Sequence, residues 1–264
     1  MNTENATLSY PFAAPPEFGR PLEVAAGVYW LRMPLPFALD HINLWVLRDG
    51  HGWALVDTGI GNDITRGHWE YVFGTLLEDS FVTRLIVTHH HPDHAGNAAW
   101  LAQRWGVPVM MTSGEFLAAH VLHAGIAGWD RVRSVDLYAQ HGVEAAMIER
   151  QRARGNGYPK LVPNLPGSFV RLLEGDTINI NEHAWRIIAG YGHTPEHAAL
   201  YCADLGILIS GDQVLPRITT NVSVWPDQPD GDPLQRFFDS MQRYDDLPAD
   251  TFVLPSHDRV FRGF

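Results

Sequence analysis

The chain has 264 residues, of which 45% are hydrophobic and 19% charged, which is enough to bury a large core. Its 30 acidic and 19 basic residues give a formal net charge of −11, the opposite of a surface that follows phosphates, so we expect a small-molecule substrate and no nucleic-acid partner. A single cysteine excludes an intramolecular disulfide, and no apolar stretch approaches the roughly 20 residues of a membrane helix. We therefore expect a cytoplasmic protein without a membrane-spanning segment. Composition leaves the oligomeric state open.

The first half of the chain predicts a polar lead-in followed by strands and helices. Residues 1–20 are expected to be extended or loose, and the β-prone residues 23–32 predict a first strand. Asp49-Gly50 predicts a hairpin turn between strands at 43–48 and 52–57. The elements predicted next are a helix at 62–77 capped by Asn62 or Asp63, a buried strand at 84–88, a helix at 95–105 and a strand at 107–112.

The second half predicts a helical segment and then short strands. Residues 113–154 are helical in pattern with a break at Gly125 and Gly128, and 155–167 predict a loop. The later elements are strands at 169–173, 177–180, 184–189, 198–203, 207–210 and 251–254, and a helix at 234–244. We expect one domain, 21–264, with a helical insert at about 113–167. The pattern alone supports α/β or α+β.

The densest set of potential metal ligands follows the predicted strand at 84–88. It comprises His89, His91, Asp93 and His94, within six residues. Imidazole nitrogen and carboxylate oxygen are ligands of borderline divalent metals such as zinc. An extended chain places the first three on one face and directs His94 away, unless the chain turns at Pro92. One loop can therefore supply two neighbouring sites.

Three later segments also end a predicted strand with a potential ligand: His193, Asp212 and His257. With the pattern His-x-His-x-Asp-His at 89–94 and the turn Val56-Asp57-Thr58-Gly59, they resemble the metallo-β-lactamase superfamily of metallohydrolases. The motifs extend from Asp57 to His257, over most of the chain. The resemblance implies an α/β fold, a four-layer αβ/βα sandwich in which helices flank two mixed β-sheets and the metal site lies at the sheet edge.

The resemblance also implies a role for each matching residue. Two divalent metal ions are implied, with Zn²⁺ as the first expectation and Fe or Mn as alternatives. By this likeness His89, His91 and His193 hold the first metal, Asp93, His94 and His257 hold the second, and Asp212 bridges them. A hydroxide shared by the metals would attack an activated carbonyl. The candidate catalytic residues are Asp93 and Asp57; we expect Asp57 to orient a ligand imidazole, with bracing of its own turn as the alternative.

The runs at 88–96 and 192–198 resemble glyoxalase-II-like thioesterases rather than true β-lactamases, which lack the carboxylate bridge at the position of Asp212. The expected reaction is hydrolysis of a thioester, ester or lactone. The alternatives are an acyl-homoserine-lactone lactonase, a mononuclear iron oxidoreductase resembling persulfide dioxygenases, and a metal-binding protein without catalysis. Glyoxalase II places its glutathione-binding basic residues in a helical region beyond the final histidine ligand, where this chain has only Arg259 and Arg262. We therefore expect another substrate or a truncated chain.

The remaining candidates have simpler interpretations. His90 interrupts the ligand pattern and is expected to point into the fold or to solvent. Surface or packing roles are expected for His41, His51, His68, His141 and His183, and a core position for Cys202. His120 and His123 could reach the site mouth, with a purely structural role as the alternative, and Trp225 could line a pocket, with core packing as the alternative. The pocket candidates chosen by position alone are Arg131, Arg133, Tyr158 and Arg217.

Overall fold

A computed structural model describes residues 8–126 and 131–263 and contains two β-sheets. The strands of the larger sheet lie in chain order and are β1 (Leu22–Ala25), β2 (Val28–Pro34), β3 (His41–Asp49), β4 (Gly52–Val56), β5 (Val82–Ile86), β6 (Val109–Thr112) and β7 (Phe169–Leu172). Strands β1 to β4 are antiparallel neighbours, whereas β4 to β7 are parallel. The sheet is therefore mixed, and its parallel half leads into the metal-ligand motifs.

The smaller sheet has the spatial order β12-β11-β10-β9-β8. Its strands are β8 (Thr177–Ile180), β9 (His183–Gly190), β10 (His197–Cys202), β11 (Ile207–Gly211) and β12 (Phe252–Pro255). Strands β8 to β11 are antiparallel neighbours, and β11 is parallel to β12. Strands β9, β11 and β12 consequently run in the same direction and end at the same edge.

The helices lie outside the sheets or in the segment between β6 and β7. They are α1 (Asp63–Val72), α2 (Pro92–Ala95), α3 (Ala98–Trp105), α4 (Ser113–Ala124), α5 (Arg131–Gln140), α6 (Ala145–Arg154), α7 (Tyr158–Leu161) and α8 (Pro233–Met241). A π-helical turn, Phe73–Leu77, continues α1, and a 3₁₀ turn, Gln242–Tyr244, continues α8. Of the helices in the described ranges, none is long and apolar enough to cross a bilayer.

Alternating side chains divide the core into layers. On β3, Leu44 packs in the cluster that contains Trp69 of α1, whereas Trp45 packs between the two sheets. On β10, Leu200 lies between the sheets, whereas Tyr201 packs on the outer face of the smaller sheet. This alternation follows from the period of two in a strand, with both faces of each sheet buried. The predicted four-layer sandwich of two mixed sheets with flanking helices is confirmed.

Three local predictions were incomplete. The single strand predicted at 23–32 is a hairpin of β1 and β2, because Gly27 turns the chain at a φ of 71°. The predicted loop at 155–167 contains the short helix α7. The predicted helix at 95–105 begins only at Ala98, as α3, since Gly96 and Asn97 separate it from the short helix α2. Of the predicted break at Gly125 and Gly128, Gly125 ends α4 and Gly128 lies outside the described residues.

Candidate metal centre

The loop after β5 turns where Pro92 begins α2. The carbonyl oxygen of His91, the residue before this helix, accepts the backbone N–H groups of His94 and Ala95 at 2.9 Å each. Proline at the start of a helix gives up no intrahelical hydrogen bond, so the turn forms at little cost. It brings the buried His94 side chain, which an extended chain would direct away, to within 3.4 Å of the Asp212 carboxylate.

The predicted ligands form two neighbouring groups of donor atoms. The first comprises His89, His91, His193 and Asp212, and the second comprises Asp93, His94 and His257. Within each group the donor atoms lie within 4.8 Å of one another. The Asp212 carboxylate also contacts the second group, since its Oδ1 lies 3.3 Å from Nε2 of His257 and its Oδ2 lies 3.4 Å from Nε2 of His193. One carboxylate therefore lies between both groups.

The second nitrogen of several ligand imidazoles is held by an acceptor outside the site. His193 Nδ1 lies 2.7 Å from the carbonyl oxygen of Asn221, and His257 Nδ1 lies 2.9 Å from that of His41. A carbonyl only accepts, so each Nδ1 carries the proton and each Nε2 presents a lone pair to the site. This is the arrangement that a metal-binding histidine requires.

Two buried atoms in the middle of the site lack a hydrogen-bond partner among the described residues: His94 Nε2 and Asp212 Oδ1. Buried polar atoms are normally paired, and leaving them unpaired is costly. Nε2 of His89 and Nδ1 of His91 also lie only 2.9 Å apart. Nitrogen and oxygen donors that converge in this way fit borderline divalent cations, with no sulfur ligand in either group.

The Asp57 side chain, just after β4, contacts the His94 imidazole directly and the His89 imidazole through Thr88, which follows β5. Its Oδ2 lies 2.8 Å from Nδ1 of His94, and its Oδ1 accepts the backbone N–H of Thr88 at 2.8 Å. The Thr88 hydroxyl lies 2.9 Å from Asp57 Oδ2 and 3.1 Å from Nδ1 of His89. The carboxylate only accepts, so the Thr88 hydroxyl donates its proton to Asp57 and its oxygen accepts the N–H at Nδ1 of His89. Nε2 of His89 is then unprotonated and presents a lone pair to the site. The neighbouring turn is held by Thr58, whose hydroxyl donates to the His94 carbonyl oxygen at 2.6 Å.

The electrostatics differ between the imidazoles. Burial, reinforced by neighbouring imidazoles, holds the pKa of His89 and of His91 well below the ordinary value, so both imidazoles are neutral, as metal binding would require. Burial also opposes charge on His94, but the carboxylates of Asp57, Asp212 and Asp93 outweigh it and raise its pKa well above the ordinary value. Metal binding at His94 would therefore release a proton.

Glu115 of α4 is a buried part of this site that the sequence analysis missed. Its Oε2 accepts the backbone N–H of His90 at 2.9 Å and lies 2.5 Å from Nδ1 of His90. Its Oε1 accepts the backbone N–H of Glu196 at 2.7 Å. The hydroxyl of Tyr158 donates to the His90 carbonyl oxygen at 2.6 Å. His90 thus points into the fold. In the sequence, the feature that could have indicated Glu115 is that it is a lone acidic residue in the apolar run of α4.

Two further histidines begin antiparallel strands at the same edge. His197 begins β10, and its Nε2 accepts the backbone N–H of Asp212 at 3.2 Å. Burial is the main cause that lowers the pKa of His197 to about 4. His41 begins β3, holds His257 through its carbonyl oxygen, and accepts the backbone N–H of Asp258 at 2.8 Å through Nε2. The surface or packing role predicted for His41 is therefore incomplete, because His41 also holds the His257 imidazole. In the sequence, His197 was indicated by its place in the run at 192–198.

The candidates chosen by position lie in different places. Tyr158 and Trp225 line a cleft that also reaches His91. His120 and His123 lie close to backbone carbonyl oxygens of their own region. Arg217 is 64% exposed, with Nε 3.5 Å from the Asp258 carboxylate. Arg133 is exposed on α5, and the side chain of Arg131 lies outside the described residues.

Comparison with known proteins places these residues in a family. The sequence pattern of the Metallo-beta-lactamase superfamily matches residues 38–257. The acyl-coenzyme A thioesterase MBLAC2 of Bos taurus is 26% identical over 197 residues, 71% of this chain and 63% of that protein. The hydroxyacylglutathione hydrolase of Xylella fastidiosa (strain M23) is 25% identical over 226 residues, 85% of this chain and 62% of that protein. This chain spans less than two thirds of the length of either relative.

A solved structure matches more of the chain. The beta-lactamase domain protein from Burkholderia ambifaria has a TM-score of 0.89 and 46% identity, and the match covers 97% of this chain and 74% of that chain. The sequence motifs, the four-layer sandwich and the family pattern agree with this likeness. The chain therefore belongs to the metallo-β-lactamase superfamily.

Proposed function

We propose that this member of the superfamily is a hydrolase with two divalent metal ions, expected to be Zn²⁺, that cleaves thioesters and related activated esters and lactones. The observation that carries the proposal is the position of Asp212, whose two carboxylate oxygens face different donor groups. A carboxylate so placed suits a pair of cations held side by side. The names of the relatives, a thioesterase and a hydrolase of an acylated glutathione, support this substrate class.

Bound cations of this kind lower the pKa of water toward neutrality and polarise a carbonyl oxygen. The residues of the chain supply position and proton control. Asp57 and Thr88 fix which nitrogens of His94 and His89 face the site, and Glu115 joins the two loops that present the first group. No side-chain nucleophile is required by this scheme.

The test combines metal analysis with a substrate panel. Purified protein loaded with Zn²⁺, Fe²⁺ or Mn²⁺ is offered thioesters, esters, lactones and phosphodiesters that release comparable leaving groups. We expect about two tightly bound dications per chain and the highest kcat/KM for thioesters. His89→Ala should lower kcat/KM by at least about 100-fold, whereas His141→Ala, an exposed histidine on the helical segment, should not.

Several results would overturn the proposal. One tightly bound iron per chain with oxygen uptake and no hydrolysis would indicate an oxidoreductase. Lactones opened faster than every thioester would make the chain a lactonase instead. Full metal loading with no turnover of any substrate would leave a metal-binding protein without this activity.

A further inference from the structure

We infer that the cleft beside the metal centre is the acyl-group site of this enzyme and that it selects uncharged, apolar acyl groups well above acetyl in length. The inference rests on the proposed hydrolase function, because it names the part of the substrate that the cleft holds. It concerns the acyl side of the scissile bond and not the leaving group.

The cleft consists of two adjoining cavities of about 110 Å³ and about 380 Å³. They share three lining residues: His90, Leu122 and Trp225. The larger cavity is also lined by His91, a member of the first donor group. A carbonyl placed at the metal centre therefore has open space on the side of His91. The smaller cavity extends that space toward the segment that precedes α8.

The lining of the larger cavity favours apolar groups. Leu122, Tyr138, Leu161 and Trp225 contribute aliphatic and aromatic surface. Among the described residues that line it, none is lysine, arginine, aspartate or glutamate. The hydroxyl proton of Tyr158 is already donated to the His90 carbonyl oxygen, so it is not available to a ligand. Ligand sites are mostly apolar with few polar groups, and a carboxylate on the acyl group would find no cation among the described lining residues.

The smaller cavity is lined by one acidic and one basic residue. Its charged lining residues are Asp227 and Arg236, and a guanidinium nitrogen of Arg236 donates to Gln228 Oε1 at 3.2 Å. Oδ1 of Asp227 is buried without a hydrogen-bond partner among the described residues. A negatively charged acyl terminus would meet both this carboxylate, which repels it, and the Arg236 guanidinium, which attracts it, so the two charges oppose each other. Selection against anions therefore rests on the larger cavity, whose described lining residues include no lysine, arginine, aspartate or glutamate.

The cavity sizes suggest a chain length. An apolar cavity of about 150 Å³ holds a ring the size of benzene, so cavities of about 110 Å³ and about 380 Å³ together have room for a chain of ten carbons or more. Each methylene that enters apolar surroundings should raise kcat/KM by about threefold until the cleft is full. An acetyl group would leave the cleft almost unused.

The experiment compares thioesters that share one leaving group, N-acetylcysteamine, on the unmodified metal-loaded protein. The acyl groups are acetyl, hexanoyl, decanoyl and adipoyl, the last having the carbon number of hexanoyl with a carboxylate in place of the terminal methyl group. We expect hexanoyl to exceed acetyl in kcat/KM by about 100-fold. Adipoyl should fall below hexanoyl by at least about 10-fold. Equal values for adipoyl and hexanoyl, or no dependence on chain length, would overturn the inference.

A pair of variants on α4 locates the effect. Leu122→Trp narrows the junction of the two cavities and should lower the ratio of hexanoyl to acetyl kcat/KM by about 10-fold. Leu117→Trp changes the same helix at a residue that is 60% exposed, and it should keep the ratio of the unmodified protein. The same ratio in both variants would contradict the assignment of this cleft.

A binding measurement separates this inference from the proposed function. S-hexyl-N-acetylcysteamine, a thioether that cannot be hydrolysed, and its counterpart with a terminal carboxylate are titrated into the metal-loaded protein by calorimetry. Turnover of thioesters without chain-length preference would leave the hydrolase in place and reject the acyl site. Absence of all turnover would reject the hydrolase. In that case, tighter binding of the uncharged thioether than of its carboxylate counterpart would still support the apolar site. Equal binding of the two, or no binding, would reject the apolar site.

Discussion

Oε2 of Glu115 lies 2.5 Å from Nδ1 of His90 and accepts the His90 backbone N–H at 2.9 Å, while Oε1 of the same carboxylate accepts the N–H of Glu196 at 2.7 Å. His90 stands between the predicted ligands His89 and His91, and Glu196 follows His193 by three residues. One buried side chain of α4 therefore joins the two loops that present the first donor group.

Replacing Glu115 by glutamine should loosen the first donor group. A glutamine offers one acceptor oxygen, so at least one of the N–H groups that now face the carboxylate must face an amide NH₂ instead. We expect metal affinity and kcat/KM to fall by about 10- to 100-fold, as when other supports of metal ligands are removed. Competition with a chelator of known affinity measures the metal affinity.

The control for this variant is Glu149→Gln on α6. Glu149 is exposed and forms an ion pair with Arg152, so its replacement should change neither metal affinity nor activity. Equal metal affinity in the Glu115→Gln variant and the unmodified protein would contradict the role of Glu115 as a support of the site.

Glu115 should also make stability depend on acid pH. Burial opposes its charge, but the His90 imidazole and the backbone N–H groups outweigh burial and lower the pKa of Glu115 from 4.5 to about 2. A carboxyl group whose pKa is lower in the folded than in the unfolded chain stabilises the fold at pH values above its unfolded pKa. This stabilisation is lost as the pH falls through the folded pKa. In metal-free protein, we compare the free energy of unfolding of the unmodified chain with that of Glu115→Gln. The difference in favour of the unmodified chain should shrink by on the order of 3 kcal/mol as the pH falls from 4.5 to about 2. Denaturant unfolding curves that stay equally far apart at all these pH values would contradict this.

Asp212→Asn should change the number of bound metals. An amide has one ligand oxygen and no negative charge, so it serves two adjacent cations poorly. We expect tight binding to fall from about two dications per chain to about one or fewer, with kcat lowered by at least about 100-fold. Metal analysis after gel filtration gives the stoichiometry. Asp239→Asn on the exposed face of α8 is the matched control, and two metals retained in both variants would rule out the bridging position of Asp212.

Gly211 precedes Asp212 and tests the role of His197. Gly211 and Gly206 both adopt left-handed backbone, with φ of 54° and 61°. A Cβ at Gly211 would overlap Nε2 of His197, whereas a Cβ at Gly206 would have no heavy atom within 4 Å. Alanine at either position should lower the free energy of unfolding by about 1 kcal/mol through backbone strain.

Only Gly211→Ala should additionally displace Asp212 and weaken metal binding, by about 10-fold or more. Thermal unfolding with and without metal, followed by a chelator titration, separates the two effects. Identical metal affinities in Gly211→Ala and Gly206→Ala would show that His197 does not position Asp212.

The sequence by itself indicated the residue types that a metal site needs and the order in which they occur. His89, His91 and His94 stand close together because one loop presents them, and Pro92 marks the turn. The strand that precedes them is recognisable because buried strands have short apolar runs with defined ends. These signals are local, so they can be interpreted without knowing which segments meet in space.

The tertiary structure alone decided which atoms support the ligands. The acceptor for Nδ1 of His257 is the carbonyl oxygen of His41, 216 residues away in the chain, and Glu115 lies 81 residues from the Glu196 N–H that it accepts. Such partners share no spacing or periodicity, because they meet only where the ends of different strands converge. The cleft has the same origin, since α4, α7 and the segment before α8 form it together. Local sequence determines what each segment offers, and packing of the two sheets determines what it contacts.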